Sequence, residues 1–157
     1  PFPKYGAGLC RRVSRWVGHS LNRLIAKLLG ECSGISFMRD LTRGGLAGAL
    51  NELAAMCLKG IRIEETFLPV DEPVRGVCEM LGFDPLYLAN EGKFLVAAER
   101  SEADRILDIL RSDHLGKNAA VIGEIADVEK GKVILTTVTG GKRIVDMPEG
   151  VQLPRIC

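Results

Sequence analysis

The chain has 157 residues, which is enough for one domain with a substantial hydrophobic core and short for two domains. It contains 46% hydrophobic and 26% charged residues and carries a net charge of +1, which is typical of a globular protein and argues against a nucleic-acid partner or an acidic substrate bound through bulk charge. No apolar run reaches the roughly 18 to 20 residues that cross a bilayer, so no membrane segment is predicted.

Cysteine usage predicts a reducing compartment, the cytoplasm. The cysteines are odd in number, widely spaced and without a C-x-x-C pair, which argues against a disulfide framework and a structural zinc site. His19 and His114 have no ligand partner at metal spacing, so no metal site is predicted. The chain begins without a secretory h-region or an initiator Met, which suggests an excised piece of a longer protein. The five cysteines are Cys10, Cys32, Cys57, Cys78 and Cys157.

An amphipathic helix is predicted over residues 9–29, with a break at Gly18. Apolar side chains recur there at helical spacing, and arginines and lysines occupy the opposite face. A basic amphipathic helix can bind a membrane or a partner, but the favoured interpretation is a helix that docks on its own domain or packs on a domain that this chain lacks. The predicted organisation is a helical leader over residues 1–20, one compact domain over residues 21–150 and a tail over residues 151–157.

Residues 35–57 predict a strand followed by a helix. The strand covers residues 35–38, and Thr42 is expected to cap a helix that ends near Cys57. A second short strand, over residues 61–63, follows the stop at residues 59–60. The expected buried stripe of the helix is Leu46, Ala47, Leu50, Leu53, Ala54 and Cys57.

The next helix is expected between Asp71 as its cap and Gly82 as its stop, with Pro73 in its first turn. A nearly continuous apolar run over residues 93–98 predicts a buried strand. Ser101 and Asp104 have the spacing of a capping box before another helix. Two side-chain sets are expected to line these two helices: Val74, Val77, Cys78 and Leu81 on the first, and Ala103, Ile106, Leu107 and Leu110 on the second.

The end of the domain is predicted to be antiparallel. Residues 119–125 and 132–139 read as strands, and a two-residue hairpin turn at Gly140 and Gly141 leads into a strand over residues 142–145. Helices and strands therefore interleave before a final hairpin. The expected fold is an α/β layered sandwich, with a mixed sheet packed against helices.

The segment at residues 39–46, R-D-L-T-R-G-G-L, leads from a strand into the first turn of a helix. Backbone N–H groups, the helix dipole and two glycines favour a bound anion there, and two arginines add donors for phosphate oxygens. The alternative is a plain connection in which Asp40 or Thr42 caps the helix, and spacing alone does not decide. The candidate phosphate-binding or nucleotide-binding residues are Arg39, Asp40, Thr42, Arg43, Gly44 and Gly45.

The segment at residues 88–93, L-A-N-E-G-K, places a carboxylate, an amide and an amine at the mouth of the predicted buried strand. Partial burial would make the carboxylate of Glu91 more basic, as a general base requires, and a nearby amine such as Lys93 would oppose that. The alternative is a solvated turn with a local contact between these two residues, and the pattern alone favours it.

The tail ends in a thiol, Cys157, on an arm that Pro154 stiffens. Such a thiol could swing between a reaction site and a second protein, since chain ends are exposed. Arg155 could favour the thiolate, although the adjacent terminal carboxylate opposes that. An accidental exposed cysteine is the alternative.

Three segments in order resemble the HypE family of hydrogenase maturation proteins. Residues 39–46 resemble its R-D-P-T-R-G-G-L segment, residues 88–93 match its L-A-N-E-G-K segment, and residues 154–157 are its P-R-I-C terminus. The family is part of an ATP-using superfamily with aminoimidazole ribonucleotide (AIR) synthetase and selenophosphate synthetase. The resemblance therefore implies a domain like the C-terminal domain of AIR synthetase (PurM), and it covers most of the chain from about residue 21.

The resemblance implies an ATP-dependent carbamoyl dehydratase in the maturation of [NiFe] hydrogenase. HypF would place a carbamoyl group on Cys157, and ATP-driven dehydration would leave a thiocyanate whose cyano group passes to iron on the HypC–HypD complex. The family motif assigns the base to Glu91, with Asn90, Lys93 and Arg155 in support. ATP and Mg²⁺ would be held mostly by an N-terminal half that also forms the homodimer and that this chain lacks, so the fragment should hold no cofactor stably.

Two departures from the family limit this expectation. Leu41 stands where the family usually has proline, and the first 20 residues do not match the missing half. The fragment alone is therefore expected to have little or no ATP-dependent activity. Two alternatives stay open, which are a docking domain for maturation partners and a sister enzyme such as selenophosphate or AIR synthetase. The terminal thiol argues against a sister enzyme, because neither of those reactions needs one.

Overall fold

The computed structural model describes residues 8–10, 21–127 and 129–148, with side chains from residue 21 onward. Among these residues, no helix has the length and apolar character needed to cross a bilayer. The strands are β1 (Gly8–Cys10), β2 (Ile35–Leu41), β3 (Gly60–Glu64), β4 (Asn90–Ala98), β5 (Ala120–Ala126), β6 (Val133–Thr136) and β7 (Lys142–Ile144). The helices are α1 (Asn22–Glu31), α2 (Gly45–Cys57), α3 (Glu72–Leu81) and α4 (Ala103–Ser112).

The strands form one mixed sheet in the order β2-β4-β1-β5-β3-β6-β7. The pair β3–β6 is parallel and the other pairs are antiparallel. Successive residues of β4 serve opposite faces, because Leu95 packs with α2 while Phe94 and Val96 pack with α1 and α4. The sheet therefore lies between α2 on one face and α1 with α4 on the other, and the predicted layered α/β sandwich is confirmed.

The predicted helix over residues 9–29 is partly wrong. Gly8–Cys10 is a strand that pairs with both β4 and β5, so the first described residues belong to the sheet. The helix that the periodicity detected is α1, in which Leu24 and Leu28 are buried. Residues 11–20 lie outside the described part of the chain. Helical spacing over a long window thus concealed a short strand, because the pairing of that strand depends on residues about a hundred positions later.

Helix α2 begins differently from the expectation. Gly44, in the left-handed conformation, is its cap, and Thr42 lies before the helix and makes no cap hydrogen bond, so the predicted Thr42 cap is wrong. The helix ends at Cys57, as predicted, and Leu58 follows it in the left-handed conformation. The expected stripe is buried except Cys57, which is half-buried. The five buried residues of this stripe pack into the core on the α2 face of the sheet.

Helix α3 begins after Asp71 and ends at Leu81 with Gly82 as its cap, as expected, and Pro73 lies in its first turn. Cys78 is its one buried residue, whereas Val77 is 54% exposed and Leu81 is 59% exposed. Periodicity correctly placed these side chains on one face. It could not show whether anything in the described part of the chain covers that face.

The later elements follow the predicted order with two corrections. A 3-10 turn, Arg100–Glu102, precedes α4, whose cap is Glu102 without a side-chain hydrogen bond, so the predicted capping box is wrong. Strand β6 ends at Thr136, and the backbone bonds from Thr137 N to Gly141 O and from Gly140 N to Thr137 O close a longer turn than the two-residue hairpin expected. The antiparallel pairing of β6 with β7 is confirmed.

Candidate functional site

The pairing of β2 with β4 brings the two central motifs together. Leu41 pairs with Asn90, and the next pair joins Asp40 to Phe94, so the residues between them on β4 bulge out of the ladder. Gly92 in this bulge has φ +67°, a backbone conformation that favours glycine. The segment at residues 88–93 therefore starts a strand instead of forming a separate turn, and it lies beside the end of β2.

The bulge presents Glu91 to solvent. Its side chain is exposed, so the partial burial expected from the sequence is not provided by the described residues. Asn90 and Lys93 are half-buried, and Lys93 Nζ donates a 2.6 Å hydrogen bond to Asn90 Oδ1. Asn90 Nδ2 donates in turn to Leu88 O at 2.5 Å. The amide of Asn90 therefore fixes both sides of the bulge and leaves Glu91 at its exposed tip.

Asp40 and Thr42 form a closed turn at the end of β2. The Asp40 carboxylate accepts hydrogen bonds from the Thr42 hydroxyl at 2.6 Å and from the Thr42 backbone N–H at 3.2 Å. The hydroxyl bond is the main reason that the pKa of Asp40 lies below its ordinary value, and Arg39 and Arg43 contribute to the same direction. These two residues thus stabilise the connection and do not cap α2.

The two arginines of the first motif differ in their surroundings. Arg39 forms an ion pair with Glu52 of α2, and both side chains are 35% exposed. Arg43 is exposed, and no ion pair of its guanidinium is found among the described residues. Glu52 did not stand out in the sequence, because only the fold brings it to Arg39. Arg43 is therefore the better placed of the two to meet an anion.

Protein atoms fill the space in front of both glycines. A β-carbon at Gly45 would lie 2.5 Å from Leu86 O and 2.6 Å from Leu88 O, and one at Gly44 would lie 2.9 Å from Pro148 Cγ. Both glycines also have positive φ, +67° at Gly44 and +60° at Gly45. The need for glycine at these positions is thus explained by close packing, without an anion. The carbonyl oxygens beside Gly45 are hydrogen-bond acceptors. A phosphate group also offers acceptor oxygens, so it would be repelled there.

Val145 and Asp146, which did not stand out in the sequence, lie next to α2 and to the segment that precedes β4. Asn51 Nδ2 donates to Val145 O at 2.9 Å, and the Tyr87 hydroxyl donates to Asp146 O at 3.1 Å. Burial, and next the carboxylate of Asp84, raise the pKa of Tyr87 above its ordinary value. The phenol therefore stays protonated and able to donate. Only the three-dimensional structure reveals this contact, since Tyr87 and Asp146 are far apart in sequence.

Other predicted site residues lie elsewhere or outside the described part of the chain. Arg155 and Cys157 fall in residues 149–157, and His19 falls in residues 11–20; both ranges lie outside the described part of the chain. His114 lies in a 3-10 turn with its ring 3.3 Å from the Asp113 carboxylate. Among the described residues, no group of three or more His, Cys, Asp or Glu side chains could hold a metal ion. Cys32, Cys57 and Cys78 are free thiols.

The fold and the paired motifs define a domain of a known class. Residues 19–136 match the family described as AIR synthase related protein, C-terminal domain, and the chain belongs to this family. The expectation of a domain like that of AIR synthetase is therefore confirmed.

Within that family the chain is similar to hydrogenase maturation proteins. It is 48% identical over 137 residues to a putative hydrogenase expression/formation protein of Methanocaldococcus jannaschii, covering 87% of this chain and 40% of that protein. It is 49% identical over 138 residues to the carbamoyl dehydratase HypE of Rhodobacter capsulatus, covering 88% of this chain and 41% of that protein. The chain thus spans about 40% of the length of the curated relatives it matches.

Solved structures agree with these sequence relatives. A HypE maturation protein in complex with ATP superposes with a TM-score of 0.86 at 38% identity, over 97% of this chain and 52% of that one. The HypE–HypF complex matches with a TM-score of 0.83 at 36% identity, over 94% of this chain and 54% of that one. Thermotoga maritima PurL, at 17% identity and a TM-score of 0.66, shares the fold alone.

Proposed function

We propose that this chain is the C-terminal part of an ATP-dependent carbamoyl dehydratase that acts in the maturation of [NiFe] hydrogenase. The observation that carries the proposal is the pairing of β2 with β4, which places the R-D-L-T-R-G-G-L and N-E-G-K segments side by side. Similarity to proteins named carbamoyl dehydratase HypE supports the same reaction. Since the chain spans about 40% of those relatives, the activity is assigned to the longer protein.

The proposed reaction converts a carbamoyl group on the Cys157 thiol into a thiocyanate. Transfer of the ATP γ-phosphoryl group to the carbamoyl oxygen turns a poor leaving group into a good one. The nitrogen gives one of its two protons to solvent when the oxygen is phosphorylated. It gives the second proton to a base as phosphate departs and the carbon–nitrogen triple bond forms. Glu91 is the proposed base, because its exposed carboxylate stands at the tip of a bulge that Asn90 and Lys93 brace.

The desolvation that would strengthen this base must come from outside the described residues, because Glu91 is exposed in them. A carbamoylated Cys157 that folds over the bulge, or the rest of the longer protein, would cover the carboxylate. Water exclusion of this kind strengthens the interactions that stabilise a transition state. Substrate arrival would thus complete the site.

Phosphate binding is proposed at the turn between β2 and α2. Arg43 is the principal candidate, since its guanidinium is exposed, and Arg39 would have to share its charge with Glu52. Asp40 and Thr42 shape the turn, while Gly44 and Gly45 allow the close packing around it. No group of three or more His, Cys, Asp or Glu side chains among the described residues could hold a metal ion, so Mg²⁺ is assigned to the rest of the longer protein.

The proposed partners are HypF as the carbamoyl donor and the HypC–HypD complex as the cyano acceptor. A solved HypE–HypF complex that contains a similar chain supports the first of these. The HypC–HypD complex and the homodimer of the longer protein rest on the family resemblance. The cytoplasm is the proposed compartment, because free thiols at Cys32, Cys57 and Cys78 suit reducing conditions.

The test uses the longer protein that contains this chain, with HypF, carbamoyl phosphate and ATP. Intact-mass measurement should show carbamoyl addition and then loss of one water, with both changes mapped to Cys157. Cys157→Ser should abolish both changes, whereas Cys57→Ser, at a half-buried cysteine of α2, should leave them intact. Modification at a different residue would refute the proposal. HypF binding that survives replacement of Cys157 and Glu91, with no modification in the unaltered protein, would favour a docking domain.

A further inference from the structure

The 3-10 turn Pro85–Tyr87 stands directly before the L-A-N-E-G-K segment and packs against α2. Its middle residue, Leu86, is 4% exposed and belongs to the core on the α2 face of the sheet. The carbonyl oxygens of Leu86 and Leu88 lie so close to Gly45 that a β-carbon there would be 2.5 Å and 2.6 Å from them. A shift of the turn toward α2 would therefore produce a clash, so its position is limited on that side.

Asp84 organises this turn from the position before it. Its Oδ1 accepts the backbone N–H of Leu86 at 2.9 Å, and its backbone carbonyl accepts the N–H of Tyr87 at 3.1 Å. Pro85 follows Asp84 and has a fixed φ, which leaves the turn little conformational freedom. The turn therefore uses one carboxylate oxygen of Asp84 and leaves the other for a contact outside it.

Arg143 of β7 makes that outside contact. Its Nη2 forms a 2.5 Å ion pair with Asp84 Oδ2, across 59 positions of the sequence. The Arg143 side chain is 41% exposed and the Asp84 side chain is 29% exposed, and ion pairs as exposed as this one add little to global stability. Tyr87 makes a second link, because its hydroxyl donates to Asp146 O at 3.1 Å. The turn is thereby held between α2 on one side and β7 with the residues that follow it on the other.

Hydrogen bonds continue from the turn into the N-E-G-K bulge. Leu88 O accepts from Asn90 Nδ2 at 2.5 Å, and Asn90 Oδ1 accepts from Lys93 Nζ at 2.6 Å. Glu91 lies between Asn90 and Lys93, at the exposed tip of the bulge. A displacement of the turn at Asp84 would therefore move the backbone that carries Glu91.

We propose that Asp84 and Arg143 are positioning residues, which set the orientation of Glu91 through the turn Pro85–Tyr87. The inference rests on the proposed function for the role of Glu91, whereas the contacts that carry it do not depend on that role. Both residues act through the backbone of the turn and have no part in the chemistry. A base must stand within hydrogen-bond reach of the proton that it removes, so a small displacement of its backbone lowers the rate of that step.

The experiment uses the longer protein that contains this chain and compares four variants of the ion pair. Asp84→Asn keeps an acceptor for the Leu86 N–H and removes the charge that Arg143 binds. Arg143→Gln removes the other charge, and the third variant combines both substitutions. Arg143→Lys keeps the positive charge and serves as the conservative replacement.

Two rates are measured for each variant. The first is the ATP-dependent loss of water from the carbamoylated protein at saturating ATP, followed by intact mass. The second is backbone amide exchange over residues 84–93, with β6 as the reference. The KM for ATP and the extent of carbamoylation by HypF are recorded as well, because a displaced base should leave both unchanged.

Lys59→Gln is the matched control, because it breaks the ion pair between Lys59 and Asp127 at the other end of the sheet. Strands β4 and β5 run in the same direction, since each is antiparallel to β1. Gly60, next to Lys59, pairs with Ala126 at the end of β5, whereas Glu91 lies at the start of β4. The control therefore removes a similar contact that is distant from the bulge.

We expect Asp84→Asn and Arg143→Gln each to dehydrate on the order of tenfold more slowly and to exchange about twofold to fivefold faster over residues 84–93. The double variant should be no slower than the slower single variant, because both substitutions break the same contact. Arg143→Lys should fall between Arg143→Gln and the unaltered protein, and Lys59→Gln should match the unaltered protein. Arg143 is exposed, so its variants remain informative if Asp84→Asn fails to fold.

Normal dehydration by both single variants would overturn the inference, and so would losses that multiply in the double variant. An equal rise in exchange over β6 would also overturn it, because the ion pair would then stabilise the whole fold. If the unaltered longer protein does not dehydrate at all, the proposed function fails, and exchange over residues 84–93 still decides whether the ion pair positions the bulge.

Discussion

Asn90 and Gly45 meet at one carbonyl oxygen. Leu88 O accepts the 2.5 Å hydrogen bond from Asn90 Nδ2, and the same oxygen would lie 2.6 Å from a β-carbon at Gly45. The N-E-G-K segment therefore fixes the backbone carbonyl against which Gly45 of the R-D-L-T-R-G-G-L segment packs. This contact explains in physical terms why the two segments behave as one structural unit.

Replacement of Gly45 by alanine should destabilise the chain strongly. The new β-carbon would meet the Leu86 and Leu88 carbonyl oxygens, in a left-handed conformation that alanine disfavours. We expect a loss of roughly 2 to 4 kcal/mol in the free energy of unfolding, measured by urea denaturation. Gly76→Ala is the control, since nothing lies within 4 Å of the added atom in α3, and it should stabilise the chain by about 0.5–1 kcal/mol. Equal effects would contradict this account.

Replacement of Asn90 by alanine should loosen the bulge without unfolding the sheet. The substitution removes the hydrogen bonds to Leu88 O and from Lys93 Nζ. A local loss of about 1–2 kcal/mol corresponds to roughly 5- to 30-fold faster amide exchange over residues 88–93. Hydrogen exchange read by mass spectrometry measures this change. Exchange over β6 should stay as it was, and a uniform rise across the chain would count against a local role.

Replacement of Thr42 by valine should raise the pKa of Asp40. The Thr42 hydroxyl is the main reason that this pKa is depressed, so its loss moves the titration toward the ordinary value of about 3.9. Carbon-detected NMR titration of the carboxyl group measures the shift. Thr139→Val, in the turn before β7, serves as the control and should leave the Asp40 titration unchanged.

The same pKa predicts how stability depends on pH. Because the folded-state pKa of Asp40 is lower than the unfolded value, its carboxylate contributes stability that is fully present above the unfolded pKa. That contribution is lost as pH falls through the depressed folded pKa. The difference in stability between the unaltered chain and Thr42→Val should therefore shrink in this acidic window, and a constant difference down to the lowest pH would contradict the assignment.

Replacement of Glu91 by glutamine in the longer protein should block dehydration and spare carbamoylation. Loss of a general base typically costs about 10² to 10⁴ in rate. Cys157 should accumulate the carbamoyl group without loss of water, as read by intact mass. Glu124→Gln, at an exposed carboxylate of β5, is the control and should dehydrate normally. Normal dehydration by the Glu91 variant would exclude this residue as the base.

This chain alone should show little or no ATP-dependent turnover, because it covers about 40% of relatives of its kind. Phosphate release from ATP, measured with and without a carbamoylated Cys157, is the appropriate assay. Supplying the missing part of the longer protein should restore activity. Turnover by the chain alone at the rate of the longer protein would show that the site is complete within these residues.

The sequence predicted the layers of the fold and the motifs of the site because both depend on local patterns. The burial of Leu46, Leu50 and Leu53 follows from helical spacing, and β4 follows from its apolar run. The apolar residues of α3 recur at the same helical spacing, yet Val77 among them is exposed. Periodicity defines an apolar face, whereas its burial depends on what else packs there.

The sequence missed one local contact of the site and several long-range contacts. Thr42 was expected to cap α2, but Asp40 occupies its hydroxyl and Gly44 takes the cap position. The pairing of Arg39 with Glu52 and the bond from Tyr87 to Asp146 join residues that no local pattern connects. Glycine spacing left a bound anion and a plain connection equally open at Gly45, and the structure places the carbonyl oxygens of Leu86 and Leu88 close to that residue.

The three residues of strand β1 should decide whether a shortened version of the chain stays soluble. In the ladder it separates β2–β4 from β5–β3–β6–β7, with partners on both sides. Trimming to the family match at residue 19 would remove it and open two unpaired strand edges in the middle of the sheet. Open edges recruit strands from other copies, so such a truncation should aggregate although every motif residue is retained.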